Sequence, residues 1–194
     1  MQLQAFLSVL STLVLGSLAS PAAYMFANTP TAPSDNAVLS PQSLTLTALV
    51  SKDGLSGLEC WVLTPALVSS TAEGTIGALS YSNLGALGNS SYDLFTELTN
   101  AGLHNAPAPQ YVIILRGQGE LSFPSADPAN VTLTGNYTLH AGDILIVQDT
   151  AELSFRGHNS VWQPGTSTLQ LPFASGAAPE HVVLHEGGCK RPHM

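Results

Sequence analysis

Apolar residues along this chain come in short runs, and several of those runs alternate with polar positions. In Ser43-Leu-Thr-Leu-Thr-Ala-Leu49 the apolar side chains recur at almost every second place. That is the period of a strand with one buried face. Further strand-like runs are Leu58 to Leu63, Thr75 to Leu79, Tyr92 to Leu98, Tyr111 to Leu115, Glu120 to Phe123, Val131 to Thr134, Tyr137 to Leu139, Ile144 to Val147, Ser167 to Leu171 and His181 to His185. Gly, Pro, Asn, Asp or Ser separates one run from the next. Many short strands at this spacing predict an all-β fold, an antiparallel sandwich or barrel. Leu84 to Leu98 is the one stretch to weigh as a helix, and Gly85, Gly88 and Asn89 interrupt it.

Two segments precede the strands. The first twenty residues, MQLQAFLSVLSTLVLGSLAS, hold an apolar run from Ala5 to Leu18 that ends at the small residues Ala19 and Ser20. This predicts a secretory signal peptide over 1–20, although its start carries no Lys or Arg. A membrane anchor is the alternative, but the run is shorter than the roughly 20 residues that span a bilayer. Residues 21–41 are rich in Pro, Ala, Ser, Thr and Asn and read as an extended lead-in. Residues 42–194 then form a single domain, a size that supports one sizeable core.

Composition narrows the partners. The 194 residues hold 5 Lys and Arg against 13 Asp and Glu, a net charge of −8. Nucleic acids and anionic membrane surfaces need clustered cations, so neither is an expected partner. Three glycosylation sequons, at Asn89, Asn130 and Asn136, agree with a secreted, extracellular glycoprotein. The two cysteines, Cys60 and Cys189, predict one disulfide in an oxidising compartment; two free thiols are the alternative. The bridge would close a long loop and contribute about 3–5 kcal/mol.

Two segments carry candidate chemistry. One is His104-Asn-Ala-Pro-Ala-Pro-Gln110-Tyr-Val, which runs on to Gly117. The other is Gly142-Asp-Ile-Leu-Ile-Val-Gln-Asp149-Thr150, followed by Gly157-His158. If Gln110 faces the interior, strand alternation sends Val112 and Ile114 with it, and Tyr111, Ile113 and Leu115 to the other face. On the second segment Ile144, Ile146 and Gln148 share one face, and Leu145 and Val147 the other.

These segments resemble the cupin superfamily, and more closely a small cupin group with the patterns H-x-A-P-x-x-Q-Y-V and G-D-x-L-x-x-x-D-T followed by G-H. In the usual first cupin motif the glutamate position falls on Gln110 and the two histidine positions on His104 and Ala106. In the second motif the histidine falls on Leu153 by direct count, or on His158 if a short insertion is allowed. The resemblance implies a jelly-roll β-barrel with a small-molecule pocket between its sheets, and pairing of two copies as a homodimer. It also implies a divalent metal, Fe, Mn or Zn, held by His104, Gln110 and His158. Ala106 cannot ligate, and Gln110 is neutral, so the set is short of a secure site and the reading favours no cofactor.

An isomerase or cyclase then fits best, one that uses His104 and His158 as acid/base groups around a substrate held by Gln110, with a place in the biosynthesis of a small metabolite. Imidazole suits either role because its ordinary pKa lies close to neutrality. The alternatives are a non-catalytic binding module and a metal-dependent oxygenase. Each residue also has a structural reading: His104 as a loop cap and Gln110 as an interior amide satisfied by the backbone. Asp143 reads as a turn residue bonded to nearby amides. Asp149 and Glu152 are further acid/base candidates near the pocket mouth. His181 and His185, four apart, are taken to share one strand face. Trp61 and Trp162 read as core or pocket wall.

Overall fold

The computed structural model describes residues 42–127, 129–130 and 132–190. The signal peptide expected over 1–20, the lead-in over 21–41 and Val131 lie outside the described residues. The described chain is all-β: β1 Thr45–Lys52, β2 Leu55–Leu63, β3 Val68–Ser69, β4 Leu79–Ser80, β5 Ser91–Phe95, β6 Thr99–His104, β7 Gln110–Arg116, β8 Gln118–Pro124, β9 Leu133–His140, β10 Ile144–Val147, β11 His158–Trp162, β12 Thr166–Pro172 and β13 His181–Glu186. The stretch weighed as a helix is irregular up to Ser90 and then enters β5.

The strands fall into a seven-stranded sheet, ordered β13-β2-β1-β10-β7-β12-β5, a four-stranded sheet, β6-β11-β8-β9, and a small β3-β4 pair. They do not close into one hydrogen-bonded barrel. Nor is the pairing wholly antiparallel, because β1 runs parallel to β10, with Ala48 opposite Ile146. The long connections between these two strands permit that pairing, which a tight hairpin does not.

The large and the four-stranded sheet face each other across one apolar cluster. Leu49, Val112, Ile114, Leu145 and Val147 come from the first sheet, and Leu121, Leu139 and Trp162 from the second. Alternation sends Leu46, Ala48, Val50, Trp61, Leu63, Tyr111 and Ile146 to the opposite face of the large sheet, where they form a second cluster with Phe173. The connection between β2 and β5 folds over that second face. Tyr81 packs there and donates to the Thr64 carbonyl (2.9 Å), and Tyr111 donates to the Leu84 carbonyl (3.1 Å). The large sheet is therefore buried on both faces, and its central strands read as nearly continuous apolar runs.

Gly117 is the crossing point between the sheets. It joins β7 of one sheet to β8 of the other at φ 82°, and Thr166 lies where a Cβ would stand. Both facts demand glycine. The C-terminal end is tied down by the Cys60–Cys189 disulfide, which closes a loop of 129 residues. The Cys189 amide also donates to Thr47 Oγ1 (2.9 Å).

Candidate functional site

A cavity of about 440 Å³ lies between the two facing sheets. His104, Gln110 and His158 all line it. His104 ends β6 and His158 begins β11, and the antiparallel register sets them directly opposite each other. Their ring centroids are 4.4 Å apart, with the planes tilted by 55°. Gly157 makes this approach feasible. It has φ 64°, and a Cβ there would stand 2.1 Å from the His104 carbonyl oxygen, so any side chain would push the two imidazoles apart.

Each ring is held by its Nδ1. In His104 that atom lies 2.8 Å from the Gly102 carbonyl. A carbonyl can only accept, so Nδ1 carries the proton and Nε2 keeps its lone pair in the neutral ring. In His158, Nδ1 lies 2.7 Å from Asp149 Oδ2, and both side chains are buried. Asp149 is fixed in turn by the Ser56 hydroxyl (2.6 Å), and Ser56 pairs with Ser154 (2.8 Å). Asn105 donates to the carbonyls of Asp149 (3.0 Å) and Ser154 (2.7 Å), joining the loop after β6 to the loop before β11. Asp149 Oδ1 has no partner among the described residues. The network orients an imidazole much as a carboxylate orients the histidine of a hydrolytic triad.

The other sheet supplies an amide pair. Gln110, at the start of β7, donates from Nε2 to Gln170 Oε1 on β12 (2.7 Å). Both residues line the cavity, which leaves the Gln110 oxygen and the Gln170 amino group for a ligand. The remaining wall is apolar. Phe95 and Trp162 stack with ring centroids 4.9 Å apart, and Val112, Leu145 and Val147 come from the strands.

The expected alternation holds on both segments: Val112 and Leu145 face this cavity, and Tyr111 and Ile146 face away. Leu153, the position reached by direct count, is exposed, and His158 lies in the cavity. The four residues Ser154 to Gly157 lie between them. Ala106 is buried in the wall.

Other expectations resolve differently. Glu152 is exposed and does not line the cavity; a hydrogen bond from Thr150, and then a backbone amide, hold its carboxyl below the usual carboxylate range. Asp143 accepts from the His140 amide (2.8 Å), as a turn residue should. His181 and His185 do not share a face. A bulge between Val183 and His185 sets His181 opposite Leu63 and His185 opposite Cys60, and positions three apart on β2 point to opposite faces. His181 instead stacks on Trp61 at 3.4 Å. Trp61 is core and Trp162 is cavity wall. Burial pushes the Tyr111 hydroxyl up to about 12, with Tyr81 adding to the shift, and that hydroxyl lies on the face away from the cavity.

Sequence reasoning missed Gln170, Asp93 and Phe95 as cavity residues. It also missed the pairing of Asp149 with His158, which lie nine residues apart on either side of the inserted loop. For a resident divalent metal, the donors that sit together are two imidazole nitrogens and a neutral carboxamide oxygen; Asp93 lines the cavity but does not gather with the histidines. Among the described residues no three His, Cys, Asp or Glu side chains gather as a metal cage. This set does not fit the metal that the motif spacing suggested, and no chemical step is routed through one. No family model matches the chain, and comparison with curated proteins and with solved structures also returned no match.

Proposed function

We propose that this is a secreted, cupin-type jelly-roll protein that takes a small organic molecule into the cavity between its sheets and moves a proton on it. The observation that carries this reading is the meeting of His104, Gln110 and His158 in one cavity of about 440 Å³, a size suited to a small-molecule site. The motif spacing and the two facing sheets support the jelly-roll assignment. The leader-like first twenty residues, the sequons and the disulfide support secretion. Asn89, Asn130 and Asn136 are exposed, as glycan acceptors must be.

In this reading His158 is the base. Its Nε2 takes a proton from a substrate carbon or hydroxyl, and the Asp149 carboxylate stabilises the imidazolium that forms. The same proton is returned to the substrate at a neighbouring position, by His158 itself or by way of the bare Nε2 of His104, whose ring centroid lies 4.4 Å from that of His158. The Gln110 oxygen and Gln170 amino group hold the substrate while the double bond or ring closure shifts. No atom is lost or gained overall, which is the balance of an isomerase or cyclase.

The experiment is solvent exchange. The purified protein is incubated in deuterated water with a panel of small cyclic compounds that carry enolisable C–H bonds, and mass spectrometry reads the label. The reading expects catalysed deuterium uptake into at least one compound, lost at least about 100-fold in His104→Ala and His158→Ala proteins that keep their circular dichroism spectrum. Ligand binding with no exchange and no product would leave a binding module instead. That alternative draws on the amide pair and apolar wall, which orient a ligand without any chemistry.

A further inference from the structure

The cavity carries a signature of what it accepts. Its wall contains no Lys and no Arg, and its one formally charged lining residue is Asp93, on β5. With their Nδ1 atoms engaged by Gly102 and Asp149, the two imidazoles in their neutral form present lone pairs at Nε2. Gln110 presents its carbonyl oxygen, while one N–H of its amino group is given to Gln170. Asp93 accepts a bond from Ser91 (3.1 Å) and remains an acceptor. Against these stand the neutral donors of the wall: the amino groups of Gln170 and Asn89, the Ser160 hydroxyl and the Trp162 indole N–H. A carboxylate or phosphate entering here would leave water with no Lys or Arg to replace it and would meet the negative charge of Asp93. A ligand with hydroxyl donors would instead satisfy acceptors that are otherwise open, and its ring would lie on the Phe95–Trp162 stack.

We propose that the natural ligand is a ring compound that brings two or more hydrogen-bond donors and no negative charge, and that the cavity discriminates against carboxylates and phosphates of the same size. Two hydroxyls on adjacent ring atoms fit the closely spaced imidazole pair. The proposal rests on the reading that this cavity takes a small organic molecule, but it requires no turnover.

The test compares three probes of equal ring size at neutral pH: catechol, benzoate and phenyl phosphate. Binding is read by calorimetry or thermal shift and located by the imidazole Cε1–H signals in a proton–carbon NMR spectrum. Catechol should move the His104 and His158 signals and leave those of His181 and His185 in place. It should bind at least about tenfold more tightly than either anion, the usual scale for one unpaired polar group. Asp93→Lys, at a half-exposed position on an edge strand, should narrow or reverse that preference without loss of fold. The proposal is overturned if either anion binds the unmodified protein as tightly as catechol, if no probe moves the two cavity histidines, or if Asp93→Lys leaves the ratio unchanged. Catechol binding without deuterium exchange in any substrate would sink the acid/base reading and leave this one standing.

Discussion

The two faces of the seven-stranded sheet are built by the same strands and reach opposite ends. On one face Trp61, Tyr111, Phe173, Leu46, Leu63 and Ile146 pack into one apolar cluster. Their polar atoms are satisfied locally, as where Trp61 Nε1 donates to Glu59 (2.7 Å) and Tyr111 to the Leu84 carbonyl (3.1 Å). On the other face Val112, Leu145 and Val147 line a cavity of about 440 Å³ that also holds imidazoles and amides with open positions. Alternate residues of β1, β7 and β10 serve the two faces, so stability and chemistry are separated by one step along the strand. Both faces bury apolar side chains, and on the cavity side Leu49, Ile114 and Leu139 pack behind the open space. The open face keeps polar groups that contribute little to stability unless something binds.

This contrast can be broken in stages. The largest effect belongs to the filled face. Trp61→Ala removes a buried indole and its stack on His181, and should cost about 3–5 kcal/mol in chemical denaturation. Ala101→Phe, which projects a ring into the cavity from an exposed position on β6, should change stability by less than about 1 kcal/mol yet abolish ligand binding. If the two substitutions cost the same stability, the division of labour is wrong.

An intermediate effect belongs to the buried network. Asp149→Asn keeps the shape but removes the charge that faces His158 and Ser56, and should cost about 1–3 kcal/mol. Because Asp149 positions rather than reacts, the sharper readout is spectroscopic. The His158 imidazole nitrogen shifts should change while those of His104, held by Gly102, stay put.

The smallest effect concerns alkali. The Tyr111 hydroxyl ionises near 10 in an unfolded chain and is pushed up to about 12 here by burial. The native state therefore holds its proton where the unfolded state has lost it. The associated stability is complete below pH 10 and declines as pH rises towards 12. Tyr111→Phe should flatten that decline in a denaturation series between pH 9 and 12, with cavity binding at neutral pH unchanged.

How much of this was legible in the chain depends on the period of each segment. β7 and β10 are nearly continuous apolar runs, so the strand period tells only which residues share a face, and the faces of Val112, Tyr111, Leu145 and Ile146 followed once Gln110 was placed in the interior. β6 and β11, which bring the imidazoles together, read Thr-Asn-Ala-Gly-Leu-His and His-Asn-Ser-Val-Trp. Small and polar residues dominate both, so neither carries a strand signal, although one side of each lines the cavity. The placement of His158 came from motif spacing, and the insertion after Thr150 blurred it. The partnership of Asp149 and His158 left no local trace, because it depends on how that inserted loop folds back. The β13 bulge likewise turned His185 away from His181 with no sign in the sequence. The parallel β1–β10 pair was hidden for a different reason. Alternation tells which face a residue takes but not which neighbour its strand joins.

The central claim is that the cavity holds two oriented imidazoles whose outward nitrogens are free to act. Long-range proton–nitrogen NMR on protein labelled at its histidines reads this directly, since it separates protonated from unprotonated ring nitrogens. At a pH where both rings are neutral, the account predicts that His104 and His158 are both protonated at Nδ1 and bare at Nε2, and that Asp149→Asn perturbs only His158. A bare Nδ1 with the proton on Nε2 in His158 would contradict it.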